Sequence, residues 1–187
     1  MVVLRRALFP ALALLAAVAA SAARAPAPAE IEYEVKAAFL YNFAKFVDWP
    51  PEAFPTPGTP VSLCVLGEDP FGGSLDSVVR GETLNGRHLA VRRVQGAGEA
   101  RGCQVLFLPR AERGRAAEVL AALRGASVLT VGEESDFLDQ GGVIRFVLEQ
   151  GRVRFEINLD AAERDHLKLS SKLLRLARAV NPQRRGG

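Results

Sequence analysis

Two histidines, two cysteines and one glycine-rich turn are the places where this 187-residue chain could do chemistry. His88 and His166 stand far apart, and neither belongs to an HxxxH-type pair that would aim two ring nitrogens from one helix face at a metal. Both read as ordinary surface or hydrogen-bonded residues. No serine sits in a GxSxG elbow, and the predicted strand ends carry no carboxylate cluster of the kind phosphotransfer needs. The turn from Gly67 through Glu68, Asp69, Pro70, Phe71, Gly72 and Gly73 to Ser74 has the glycine spacing of a phosphate loop. Its seventh position is Gly73, where such a loop places lysine, and Glu68 with Asp69 would repel an anion held there. The GxGxxG dinucleotide pattern is absent from this turn, so its glycines serve turning and close packing. This inventory predicts no catalytic residue, no metal site and no cofactor, and assigns no residues to a small-ligand site.

Cys64 and Cys103 are more informative. One lies inside a predicted strand and the other enters a second. If those strands are neighbours, a bridge would close a loop of about 40 residues and stabilise the fold by about 4 kcal/mol in the chain-entropy model. Buried free thiols are the other reading of the same two residues.

The elements that must position these residues begin with a helix in the run from Glu34 to Pro51. Val35, Phe39, Asn42, Phe43 and Phe46 fall on one broad face, widened by Ala38, Leu40 and Val47. Lys36 and Lys45 leave a narrow wet edge, and Pro50 and Pro51 stop the helix. After the proline-rich turn from Pro50 to Pro60, strands and helices alternate. Strands are predicted at Val61 to Leu66, Leu89 to Val94, Gln104 to Leu108 and Val128 to Val131, and helices at Asp69 to Val79 and about Ala111 to Leu123. Apolar strands spaced by helices imply a parallel sheet covered on both faces. Val143 to Glu149 and Arg152 to Ile157 flank Gln150-Gly151 as a hairpin, whose second strand alternates Val153, Phe155 and Ile157 against Arg152, Arg154 and Glu156. A last helix is predicted from about Lys168 to Val180, with Lys168, Lys172, Arg175 and Arg178 on its polar side. The fold class expected is α/β, a single-domain, mainly parallel sheet with an antiparallel edge hairpin and helices on both faces, a Rossmann-like three-layer sandwich.

Residues 1–25 read as a signal peptide. Arg5 and Arg6 form a basic start, Ala7 to Ala20 an apolar stretch, and Ala20-Ser21-Ala22 or Ala23-Arg24-Ala25 the small residues a signal peptidase accepts. The apolar stretch, interrupted by Pro10, is shorter than the roughly 20 residues that span a bilayer. The expectation is export, a domain over residues 30–181, a flexible tail at 182–187 and no membrane insertion after cleavage. Of 24 Lys and Arg against 21 Asp and Glu, Arg5 and Arg6 belong to the signal, so the exported chain is nearly balanced in charge. Nucleic acid and anionic lipid are therefore not expected partners.

The run VKAAFLYNFAKFVDWP resembles the signature of the YfiR family, periplasmic regulators of a membrane diguanylate cyclase. The blocks LCVLGEDPFG, GCQVLFLP, VLTVGE, GGVIRF, VRFEINLDAA and LKLSSKLLRLA resemble that family in the same order, from Glu34 to Val180. The resemblance implies a non-enzymatic periplasmic protein that binds the sensory domain of an inner-membrane diguanylate cyclase and represses it, lowering cyclic di-GMP. It also implies that Cys64 and Cys103 are bridged. A second cysteine pair of the best-known member would fall near Leu138 and Arg145, where this sequence has none, so a two-bridge redox switch is not expected. The matching region in such proteins makes Arg152, Arg154, Glu156, Lys168 and Lys172 the candidate partner-binding residues, although a solvated edge explains the same charges. A second copy of this chain, forming a homodimer, is the other protein partner considered. The rival function is a periplasmic small-molecule binding or sensing protein with its ligand at the carboxyl ends of the strands, near Gly67, Pro109 and Gly132.

Overall fold

A computed structural model describes residues 27–181. The expected signal at 1–25 and the tail at 182–187 lie outside the described residues. The first helix, α1 (Pro28–Lys45), starts six residues before the predicted Glu34. Pro28 suits a first helical turn because its missing N–H would have had no partner there, and the Glu30 carboxylate accepts the Ala27 N–H at 2.7 Å. A short strand β1 (Val47–Asp48) and a tight turn at Pro51–Ala53 lead into β2 (Val61–Leu66). The chain continues through α2 (Ser74–Val79), β3 (Thr83–Leu84), β4 (Arg87–Val94), α3 (Ala97–Ala100), β5 (Val105–Leu108), α4 (Ala116–Ala122) and β6 (Leu129–Gly132). It ends with the hairpin β7 (Ile144–Glu149) and β8 (Arg152–Asn158), then α5 (Leu159–Arg164), β9 (Lys168–Leu169), α6 (Ser171–Leu176) and β10 (Ala179–Asn181).

Eight strands form one sheet in the order β10-β8-β7-β6-β5-β2-β4-β3, while β1 and β9 pair separately. From β4 to β7 neighbouring strands are parallel, and β7 and β8 pair antiparallel as the hairpin pattern predicts. The three-residue strand β10 lies outside the hairpin, parallel to β8. Alternation along each strand divides the core in two. Leu63, Val65, Val105, Phe107, Leu129, Val131, Phe146 and Phe155 meet α1 and α2 on one face, whereas Cys64, Leu66, Leu106, Leu108 and Val128 meet α4 on the other. Cys64 and Cys103 form a disulfide with Cα atoms 6.0 Å apart, joining β2 to the approach of its neighbour β5. The bridge implied by the resemblance is present.

Two predicted helices differ from the structure for local reasons, and one helix was not expected. The helix predicted from Asp69 begins only at Ser74, because Asp69 accepts the Phe71 N–H and Gly72 sits at φ 58°, outside helical geometry. The helix predicted from Lys168 to Val180 is divided. Ser170 caps α6 through the Leu173 N–H, Ala177 is extended, and the Arg178 N–H reaches the Phe155 carbonyl at 2.8 Å to start β10. Pairing with the open edge of β8 thus overrides helix propensity, and the predicted basic stripe is divided among β9, α6 and the bend before β10. Helix α5, not predicted, is capped by Asn158, whose side chain accepts the Ala161 N–H at 3.0 Å.

Candidate functional site

Helix α1 is fixed to the sheet at two places. Toward its C-terminal half, Phe39 and Phe43 pack on Phe146 and Phe155, which face each other across the hairpin. The Phe43 and Phe155 rings meet edge to face with centroids 4.9 Å apart. Such ring pairs add about 0.5–1.5 kcal/mol each beyond the area they bury. The buried residues of α1 are Lys36, Ala37, Leu40, Phe43 and Ala44. This face is turned from the predicted one, and Val35, Ala38 and Asn42 point to solvent.

The second attachment is polar, and it corrects the reading of Lys36 as part of a wet edge. Lys36 is 3% exposed and its ammonium donates to the carboxylates of Glu32 and Glu133, the latter residue being 6% exposed. Glu133, just past β6, also accepts the Tyr33 hydroxyl and the Arg110 backbone N–H, both at 3.2 Å. The ammonium lies 4.5 Å from the centre of the Tyr33 ring. A buried charge is tolerated only when it is paired and its remaining donors are satisfied, and this cluster meets both conditions. Burial, and then the Glu133 charge, push the Tyr33 phenol up to about 12.

The polar cluster joins the N-terminal half of α1 to the residues that follow β5 and β6. Leu148 and Val153 are opposed in register near the hairpin tip, Leu148 exposed and Val153 partly buried against the core. A groove of about 600 Å³ opens there, walled by Ile31, Val35 and Phe39 on the helix and by Leu148, Arg152 and Arg154 on the hairpin. Among the described residues, three of the four exposed large hydrophobics stand at this groove: Ile31 at 48%, Val35 at 40% and Leu148 at 56%. Exposed apolar area concentrated in this way marks a contact surface more often than scattered single residues do.

The five predicted partner-binding residues do not form one surface. Arg152 and Arg154 are exposed at the groove and have no ion-pair partner among the described residues. Lys168 and Lys172 lie beyond the other end of α1, which is about 27 Å long at 1.5 Å per residue. There Lys168 pairs in register with Asp48, and the Lys172 ammonium sits 5.0 Å from the Phe46 ring centre. Glu156 is not free for contact, because its half-buried carboxylate accepts Arg145 and Arg178, the latter at 2.9 Å. His88 and His166 are both exposed. The clamp between Lys36 and Glu133 was missed because its members are 97 residues apart. The one available signal was a lysine inside an otherwise apolar helical turn.

At the carboxyl ends of the strands, where the rival reading expects a ligand, the protein's own side chains fill the space beside Gly67 and Gly132, and an open depression of about 420 Å³ remains beyond β5 and β6, lined by Arg110, Glu133, Glu134, Ser135 and Arg145. The chain reverses its winding between β2 and β5, where Phe71 packs between Tyr33 and Phe107 with ring centroids 5.5 and 4.8 Å away. Gly67, at φ 65°, lies so close to Glu112 that a Cβ would fall 1.9 Å from its carboxylate oxygen. Beside Gly132, the Phe137 ring occupies the space of a side chain, a Cβ there falling 2.4 Å from it. Arg93 donates to Asp69 at 2.8 Å and to Asp76 at 3.0 Å, so the cation beside this turn is already engaged by two carboxylates.

These features sit on a three-layer α/β domain with an apolar groove between α1 and the hairpin. The YfiR/HmsC-like family profile matches residues 33–178, and the chain belongs to that family. Among solved structures, a conserved domain protein from Vibrio cholerae O1 biovar El Tor is 11% identical, with a TM-score of 0.52 over 80% of this chain and 60% of that one. The chain thus spans about 60% of the length of that structural neighbour, and the likeness establishes the fold. The ABC domain in complex with L-Trp from Streptococcus pneumoniae is 10% identical, with a TM-score of 0.45 over 64% of this chain and 55% of that one.

Proposed function

We propose that this protein is a non-enzymatic periplasmic regulator that binds the outer, sensory part of an inner-membrane diguanylate cyclase and holds it inactive, lowering cyclic di-GMP in the cytoplasm. The family match over residues 33–178 carries this reading. The buried bridge between Cys64 and Cys103 supports an oxidising compartment, where disulfides persist. The two exposed surfaces at opposite ends of α1 give a partner somewhere to dock without disturbing the core. The rival, a small-molecule sensor, has less support, since Phe71, Glu112 and Phe137 occupy the space beside Gly67 and Gly132, and what stays open beyond β5 and β6 is a depression lined mostly by charged and polar residues.

The test is made in the bacterium that encodes the protein. Deleting the gene should raise cellular cyclic di-GMP, and restoring the full chain should lower it again. A chain lacking residues 1–25 should fail to do so, because it would stay on the wrong side of the membrane. Cyclic di-GMP that ignores both deletion and restoration would overturn the proposal.

A further inference from the structure

The hairpin leaves part of a backbone edge uncovered. Strand β10 lies against the outer side of β8 only from Glu156 to Asn158, and the bond just upstream of that pairing runs from the Arg178 N–H to the Phe155 carbonyl. From Arg152 to Phe155, about 13 Å at 3.3 Å per residue, no strand flanks that side among the described residues. In an antiparallel pair each residue turns its N–H and C=O to one side, and successive residues alternate. The Phe155 carbonyl points outward to Arg178 and the Asn158 N–H points inward to Val143, so the outward-facing residue upstream is Val153. Its amide and carbonyl stand at the open edge. Such an edge is a ready template for a further strand.

The two faces of this edge differ in character. On the face toward α1, Leu148 and Val153 oppose each other and line the groove with Ile31 and Val35. Arg152 and Arg154 alternate with Val153 and belong to the other face, where they are exposed and have no ion-pair partner among the described residues. A strand laid along the edge would present every second side chain to the groove and the others to the arginines. Apolar residues suit the first position and carboxylates the second. A basic strand would be repelled, and a wholly apolar one would cover two cations without a counter-charge.

We infer that the outer edge of β8 from Arg152 to Phe155 receives an extended segment of a partner protein in which apolar and acidic residues alternate. Main-chain bonds to Val153 attach the segment, and its alternate side chains set the selectivity. The inference is independent of the cyclase, because the edge, the groove and the arginines belong to this chain whichever partner uses them.

The probe is a short fluorescent peptide that alternates valine and glutamate, titrated into the exported protein and read by fluorescence anisotropy. It should bind, and the same peptide with lysine in place of glutamate should bind about tenfold more weakly or not at all. Methylating the backbone nitrogens of one alternate set of its residues should abolish binding, and methylating the other set should not, since only one set of a strand's amides faces its neighbour. Arg152→Glu with Arg154→Glu should weaken the glutamate peptide by about tenfold or more and favour the lysine peptide, with the melting midpoint unchanged. In hydrogen exchange the Val153 amide should exchange rapidly in the free protein and slowly with the peptide bound. Failure of the glutamate peptide to bind overturns the inference, as does binding that survives methylation of either set or the charge reversal. A Val153 amide already protected in the free protein would mean that a second copy or the chain's own tail covers the edge, and overturns it too.

Discussion

On one side of the central sheet α1 is held by aromatic rings and by the buried cluster of Lys36, Glu133 and Tyr33; on the other, a covalent bridge ties β2 to the approach of β5. The first arrangement holds an element in place through many partners that must all be present. The second holds two strands that the hydrogen-bonded ladder already places side by side, and acts mainly by restricting the unfolded chain. The face that bears the groove is therefore the one whose geometry depends on individual side chains, and the opposite face supplies stability with little influence on that geometry.

The largest expected effect attacks the polar attachment. Lys36→Met leaves Glu133 buried without its cation and should destabilise the protein by about 3–5 kcal/mol, read from chemical denaturation. Adding Glu133→Leu should recover much of that loss, since an apolar pair of similar volume is often as stable as a buried ion pair. A loss below about 1 kcal/mol for Lys36→Met alone would show that the rings hold α1 unaided. Next come Cys64→Ala and Cys103→Ala, each expected to cost about 2–4 kcal/mol, with the double variant no worse than either. Additive losses would mean that the two sulfurs matter as separately packed groups, and the contrast between the faces would fail.

A smaller effect belongs to Tyr33, whose replacement by Phe removes one hydrogen bond to Glu133 and should cost about 1 kcal/mol. Its pH dependence has a definite sign. The phenol ionises near 10.0 in an unfolded chain and at about 12 in the fold, so above pH 10.0 the unfolded state loses its proton first. Stability from this residue is complete below pH 10.0 and declines until about pH 12, and Tyr33→Phe should remove that part of the decline. The smallest effects on stability, under about 0.5 kcal/mol, are expected for Arg152→Glu with Arg154→Glu and for Lys168→Glu with Lys172→Glu. Measured as cyclic di-GMP in cells, relief of repression by one pair and not the other would show which end of α1 meets the cyclase. Relief by neither would remove both ends from the contact. Glu156→Lys is a poor probe for this purpose, because it breaks contacts to Arg145 and Arg178 and should destabilise the hairpin.

Much of this architecture was legible because it rests on short-range pattern. The strands from Val61 to Leu66 and from Arg152 to about Ile157 follow from unbroken or alternating apolar residues, and the turn at Gln150-Gly151 separates the hairpin strands by two residues. The end of the chain was not legible in the same way. Leu169 to Val180 has a helical period, but the open edge of β8 and the cap at Ser170 decide its conformation, and neither is visible from local spacing. The candidate surface was half legible. Alternation along β8 marks Arg152 and Arg154 as exposed, whereas the groove beside them is made by α1 and the hairpin, which come from distant parts of the chain.

That long-range attachment also sets a sequence of events as the chain is made. Helix α1 emerges first, yet Glu133, Phe146 and Phe155 follow it by roughly a hundred residues, on the order of 5–20 s of synthesis at ordinary rates. Through that interval Phe39 and Phe43 lack the hairpin rings they pack on in the fold and remain open to chaperones. A product truncated before β7 would keep Glu133 but lack Phe146 and Phe155, leaving Phe39 and Phe43 without their ring partners on the hairpin.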